Sequence, residues 1–208
     1  MQATWYFDFI LPFAYLQWPK IRALSARVDF SYRPILFAGL LERFGHKGPA
    51  EIPGKREFTY RHVQWRAQRH GIALQFPPAH PFNPLAALRL CIAAGSSADA
   101  IEAIFAHLWR EGRAGDTPAA LQTVASRLGI ADIDAALARP EVKQALSENF
   151  DAAVADGVFG VPTLVAQDEL FWGEDATPMF EDWLRDPAAF ESAPMRALKH
   201  WPEGVRRG

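Results

Sequence analysis

The chain has 208 residues, half of them hydrophobic and 22% charged, with a formal net charge of -2. That length suits one well-filled domain or a core domain carrying a large insertion, and the charge balance supplies no basic field for nucleic acid. Cys91 is the single cysteine, which excludes an intrachain disulfide framework, a Cys-x-x-Cys redox pair and a cysteine-rich zinc cluster.

Taken in chain order, MQATWYFDFI lacks the basic region and cleavage site of a signal peptide, and no apolar run reaches the ~18 residues of a membrane span, so a cytoplasmic protein is expected. Trp5 to Ile10 and Val28 to Phe37 are rich in aromatic and branched residues and predict strands. Between them Leu16, Ile21 and Leu24 stand at helical spacing, with Pro19 predicting a kink or a break into two short helices. GHKGPAEIPGK, residues 45–55, is a loop by its Gly and Pro content, and a helix follows from about Lys55 to His70, closing on Gly71. QFPPAHPFNP, residues 75–84, holds four prolines that no helix interior or central strand accepts, so it is an extended connector.

From Leu85 to about Asp156 the pattern is helical almost throughout, with Thr117 as an N-cap and Pro118 at a first helical position. GVPTLVAQ and LFWG then predict two short strands separated by Asp168 and Glu169, and Thr177-Pro178 opens a last helix through Trp183. The order βαβ, helical block, ββα is an α/β, thioredoxin-like plan with a large α-helical insertion. Residues 1–40 and 157–190 would form the discontinuous thioredoxin-like domain and residues 41–156 the insertion.

In that plan the chemistry sits where the first strand feeds the first helix, here Leu11-Pro12-Phe13. Unpaired N–H groups and the positive end of the helix dipole favour a thiolate or another anion there; the alternative is a plain junction with Leu11 in the core. Gly160-Val161-Pro162-Thr163 precedes a strand, and a cis Val161–Pro162 bond would turn the Val161 backbone toward an extended, peptide-like ligand. The alternative is a trans proline at a strand edge. Cys91, in LRLCIAAG, reads as core packing. The six histidines, at 46, 62, 70, 80, 107 and 200, show no His-x-x-x-His or His-Cys spacing, so no metal site is predicted.

Three ordered motifs, YFDFxxPFAYLQ, HPFNPLAALRL and GVFGVPTLV…ELFWGED, resemble the 2-hydroxychromene-2-carboxylate isomerases, relatives of kappa-class glutathione transferases and of DsbA-type oxidoreductases. The similarity runs from about Trp5 to Leu184. It implies glutathione as cofactor, a homodimer, and a small aromatic or unsaturated carbonyl substrate from aromatic degradation. It places Leu11 at the position of the family's serine, whose hydroxyl bonds the glutathione sulfur. It sets Val161 and Pro162 against the cysteinyl backbone, and Trp172, Glu174 and Asp175 near the γ-glutamyl end, where a carboxylate can pair with the ammonium group. Glu174 stands where the family often has Asn or Gln. Arg61 would either reach a ligand carboxylate or be a solvated helix-face arginine, and Asn83 would be a turn former or a polar group at the pocket rim. Phe13 and Trp172 would line an apolar pocket for a flat aromatic substrate.

A glutathione-dependent isomerase is therefore the expected function, with weakened activity where Leu11 replaces serine. The alternatives are a non-catalytic glutathione- or peptide-binding protein and a kappa-type transferase. Disulfide exchange fails for want of a cysteine pair.

Overall fold

The structure, a computed structural model, describes residues 1–198 together with 201, 202 and 204; His200 lies outside the described residues. Four strands make one mixed sheet: β1 (Gln2–Phe7), β2 (Asp29–Pro34), β3 (Thr163–Ala166) and β4 (Glu169–Trp172), in the order β2-β1-β3-β4. β1 runs parallel to β2 and antiparallel to β3, with Tyr6 opposite Thr163, and β3 pairs antiparallel with β4. α1 (Pro12–Leu24) connects β1 to β2, and α9 (Thr177–Arg185) follows β4. The thioredoxin-like βαβ…ββα order is thus present, with the helices interposed between β2 and β3.

Alternation along β1 divides the core between the two faces of the sheet. Trp5, Phe7 and Phe9 belong to the larger cluster with Trp18 and Phe105; the Trp5 and Phe7 rings stack at 4.2 Å between centroids. Tyr6, on the opposite face, joins Ile35, Leu40, Ala153, Val158 and Val161. Full burial of each large side chain contributes roughly 1.5–3 kcal/mol, so one short strand anchors both layers.

The interposed helices are α2 (Phe37–Phe44), α3 (Pro53–His70), α4 (Leu85–Ala93), α5 (Ala98–Phe105), α6 (Pro118–Arg127), α7 (Ile133–Ala138) and α8 (Pro140–Ala155). α4 is their hub, packing on α5 through α8. The described chain closes with α10 (Pro187–Phe190) and α11 (Ala193–Leu198). Local signals act as expected where they are strong. Gly71 ends α3 at φ +65°, a left-handed conformation that costs glycine nothing, and the Thr117 hydroxyl accepts from the Ala120 N–H at the start of α6.

Three expectations are corrected. The first strand stops at Phe7 instead of Ile10, because Asp8 Oδ1 accepts from the Ile10 N–H and turns the chain. The second stops at Pro34, and Phe37 opens α2, whose first turn is held by Asp8 Oδ2 accepting from the Phe37 N–H at 2.8 Å. Pro19 does not break α1, which runs unbroken from Pro12 to Leu24 with the proline ring on its exposed face.

Candidate functional site

A cavity of about 420 Å³ opens at the junction of β1 and α1. Leu11, Pro12 and Phe13 form one wall, Phe37 of α2 another, and Phe82 with the proline-rich connector a third. The polar groups set into these apolar walls are few: Asp8, Glu51, Thr59, Tyr60, His80 and Asn83. A chamber lined in this way suits a small, mostly apolar molecule.

Leu11 is the N-cap of α1 at φ -95°, ψ 114°, and it offers no side-chain cap. Its carbonyl accepts from the Ala14 and Tyr15 N–H groups, while Pro12 has no N–H to give. Among the described residues nothing accepts from the Phe13 N–H, which leaves one free donor at the positive end of the helix. Leu11 is half-buried; besides lining the cavity it packs on the cluster that holds Val161.

Val161–Pro162 is a cis peptide. Among the described residues nothing pairs with the Val161 N–H or C=O, and the Pro162 carbonyl accepts from the Gly173 N–H at 2.8 Å. An unpaired peptide therefore stands, largely buried, in the cluster that Leu11 packs on, outside the residues that line the cavity. Trp172, 54% exposed, forms a shelf with Phe159, their rings meeting edge to face at 5.2 Å. A Cβ on Gly160 would come within 2.6 Å of the Trp172 indole nitrogen, so the shelf requires glycine at that position.

Two site assignments change on inspection of the ion pairs. Glu174 is 2% exposed, with Lys20 Nζ 2.7 Å from Oε1 and Arg66 Nη2 2.5 Å from Oε2. Its charge is spent in tying α1 and α3 to the end of β4, which leaves none to pair with a ligand ammonium. Asp175, the next residue, is exposed and has no ion pair among the described residues. Arg61 does not face the cavity: its side chain is 82% exposed and its charge lies 3.8 Å from Glu57, one turn away on α3. The α3 arginine that reaches the connector is Arg56, whose guanidinium donates to the His80 carbonyl at 2.9 Å. Asn83 lines the cavity, and its Oδ1 accepts from the Leu85 N–H, which makes it a turn former that starts α4.

The motifs thus divide into two groups. Leu11, Pro12, Phe13 and Asn83 line the cavity, while Val161 and Pro162 are buried outside it, next to the strand end that carries the exposed Trp172 and Asp175, and Leu11 packs on the cluster of Val161. The sequence reading missed three residues in the cavity wall. Asp8 is fully buried, and burial raises its carboxyl from 3.8 to about 7 against the pull of the Phe37, Ile10 and Phe9 N–H groups; a charged residue inside an aromatic strand was the available signal. Tyr60 and His80, twenty residues apart, meet only through the tertiary fold, Tyr60 Oη standing 2.7 Å from His80 Nδ1. Cys91 is far from this chemistry: it is fully buried, and its thiol is pushed up to about 12 by that burial.

The sequence profile of the DSBA-like thioredoxin domain matches residues 3–185. Among curated proteins, the chain is 29% identical over 189 residues to a 2-hydroxychromene-2-carboxylate isomerase of Pseudomonas putida, covering 87% of this chain and 93% of that protein. It is 25% identical over 216 residues to glutathione S-transferase kappa 2 of Caenorhabditis elegans, with 93% and 95% covered. Among solved structures, a 2-hydroxychromene-2-carboxylate isomerase superimposes with a TM-score of 0.78 at 27% identity, over 93% of this chain and 100% of the other. With the fold, the cis-proline edge and the strand-to-helix junction in place, a match over that much of the sequence shows that the chain belongs to the DSBA-like thioredoxin domain family, among relatives that include 2-hydroxychromene-2-carboxylate isomerases and a kappa glutathione transferase.

Proposed function

We propose that the protein is a glutathione-dependent isomerase acting on a flat aromatic compound of the 2-hydroxychromene-2-carboxylate type. The observation that carries this reading is the apolar cavity opening directly at Leu11-Pro12-Phe13, with Leu11 also packed on the cluster of the unpaired Val161 peptide. The names of the relatives supply the chemistry: an isomerase of that acid and a glutathione transferase.

The unpaired Val161 peptide fits glutathione. The Val161 N–H and C=O would pair with its cysteinyl backbone, Asp175 with its γ-glutamyl ammonium, and Trp172 would cover its stem. Its sulfur would then lie against Leu11 and the Phe13 N–H. Held there by Val161, Asp175 and the Phe13 N–H, glutathione would supply a nucleophilic thiolate for isomerising an activated double bond. The chain's own part is to place the donor, hold the planar substrate among Phe13, Phe37 and Phe82, and keep water from the reacting carbons.

The same proposal takes residues 1–40 and 157–190 as the thioredoxin-like domain and residues 41–156 as its insertion. It also takes the protein to be a cytoplasmic homodimer. No described helix is long and apolar enough to cross a membrane. Leu11 itself favours a second reading, a glutathione-binding protein without turnover, since it removes a hydroxyl from the sulfur's surroundings.

The test is a thermal-shift and thiolate-absorbance titration with glutathione and S-methylglutathione, together with turnover of 2-hydroxychromene-2-carboxylate. Stabilisation by millimolar glutathione is expected, because a ligand that binds only the native state raises its apparent stability. No shift with either compound would remove glutathione from the reading; a shift without turnover would favour the second.

A further inference from the structure

Two polar side chains in the cavity wall are wired to one another and to the active junction. Tyr60 on α3 and His80 on the connector meet at 2.7 Å between Tyr60 Oη and His80 Nδ1. His80 Nε2 stands 2.8 Å from the Ile10 carbonyl, one residue before Leu11. A carbonyl only accepts, so Nε2 carries the ring proton and Nδ1 presents a lone pair. Burial disfavours the charged imidazolium and lowers its pKa, with Arg56 adding to this and the Ile10 carbonyl opposing. The Tyr60 hydroxyl therefore donates to Nδ1, with the His80 carbonyl at 2.9 Å as its other acceptor. Packing fixes the pair: Phe76 lies 5.2 Å from the Tyr60 ring, and Trp109 lies 5.5 Å from the imidazole. The result is a phenol whose proton is aimed at a base, on a residue that lines an apolar cavity.

We propose that Tyr60 and His80 form a proton relay that opens a cyclic hemiketal bound in the cavity, a step that needs no glutathione. The choice of substrate rests on the isomerase reading: a 2-hydroxychromene carries a hydroxyl on the carbon that also bears the ring oxygen. Tyr60 Oη takes the hydroxyl proton as its own proton passes to His80 Nδ1. The electron pair left on oxygen forms the C=O, and the ring C–O bond breaks with its pair going to the phenol oxygen. That oxygen then receives a proton from Tyr60, which recovers one from His80. Both side chains end as they began, and the product is an open ketone with a free phenol, ready for rotation about its side chain. Tyr60 is the catalytic residue; His80 acts through it and sets where its proton lies.

The charged group against the pair is Arg56 on α3, and the titratable groups that share the pair's cavity are Asp8, just after β1, and Glu51, which accepts from the Gly48 N–H. The experiment follows ring opening of 2-hydroxychromene-2-carboxylate by absorbance, without glutathione, across the histidine and carboxyl range. The wild type should accelerate opening over buffer, and Tyr60→Phe should slow it by about 100-fold or more, the usual scale of a lost acid–base group. The rate should rise with pH as His80 loses its proton, and His80→Gln should abolish that limb. A limb that survives His80→Gln belongs to Asp8 and overturns the role of His80. Opening no faster than in buffer, or a folded Tyr60→Phe protein within about threefold of the wild type, overturns the relay. Should either variant misfold, the wild type in mixed light and heavy water decides: a bowed dependence is expected for two moving protons, and a straight line overturns the relay. The glutathione thermal shift is read in parallel. Its loss with ring opening intact sinks the cofactor and spares the relay; its presence with normal Tyr60→Phe opening does the reverse.

Discussion

Asp8→Asn should make the protein more stable above neutral pH and less stable in mild acid. Asp8 is fully buried, its Oδ1 accepting from the Ile10 N–H at 3.1 Å and its Oδ2 from the Phe37 N–H at 2.8 Å. Burial outweighs those donors and raises the carboxyl from 3.8 to about 7. The folded state therefore keeps a proton through a window in which the unfolded chain has already lost it. Stability from this group is greatest below pH 4, falls as pH rises toward 7, and stays at its lower value beyond. A shift of about three units at about 1.4 kcal/mol each puts the loss at roughly 4 kcal/mol. Asparagine removes that loss but turns an amide N–H toward one of the two backbone donors, at a cost of about 1–3 kcal/mol at every pH. The balance is a gain of roughly 2 kcal/mol above pH 8 and a deficit of similar size near pH 4. Urea unfolding of both proteins, followed by tryptophan fluorescence at several pH values, gives the difference directly, and the other titrating groups cancel from it. A difference that does not change with pH would mean that the Asp8 carboxyl titrates alike in the folded and unfolded chain, its N–H donors balancing burial.

Leu11→Ser should restore a hydroxyl donor toward the glutathione sulfur. A hydrogen bond to a charged acceptor contributes roughly 1.5–3 kcal/mol, so the bound thiol should become about one to two units more acidic in a thiolate-absorbance titration; an unmoved midpoint would mean that Leu11 does not face the sulfur. Glu174→Ala should lower stability by about 3 kcal/mol, because it leaves the Lys20 and Arg66 charges uncompensated in a largely buried setting. Lys20→Met, whose partly exposed ammonium already meets water, should cost under about 1 kcal/mol. Equal losses in denaturant unfolding would show that Lys20, and not Arg66, neutralises Glu174.

Much of the fold was legible because its signals are local. A proline after Leu11, a threonine before Pro118 and a glycine after His70 each act on the residues beside them, so reading them needs no tertiary knowledge. The helix from Phe37 was hidden for the opposite reason. Its first N–H is satisfied by Asp8, 29 residues upstream, and nothing in FAGLLERF announces that partner. The site divides in the same way. Leu11, Phe13, Val161 and Trp172 occupy positions set by backbone geometry, which motif order conveys. Charge pairing is different: Glu174 and Asp175 are adjacent acids in the sequence, and only the approach of Lys20 and Arg66 from two separate helices tells them apart. Arg61 and Arg56 are distinguished likewise by which side of α3 meets the connector.

The side-chain amide of Gln17 joins the two ends of the molecule. Its Oε1 accepts from the Trp5 indole N–H at 2.7 Å, and its Nε2 donates to the Gly173 carbonyl and the Thr177 hydroxyl, the latter 160 residues away. β1 is an inner strand, and its second edge is filled only by β3. During synthesis, then, the first strand, its helix and β2 leave the ribosome long before their partners do. Until Thr163 to Ala166 follow, the nascent chain carries an apolar strand with one open edge and a glutamine only partly satisfied, the two features that invite pairing with a neighbouring chain. The helices interposed between β2 and β3 therefore set the time for which this strand waits for its second partner.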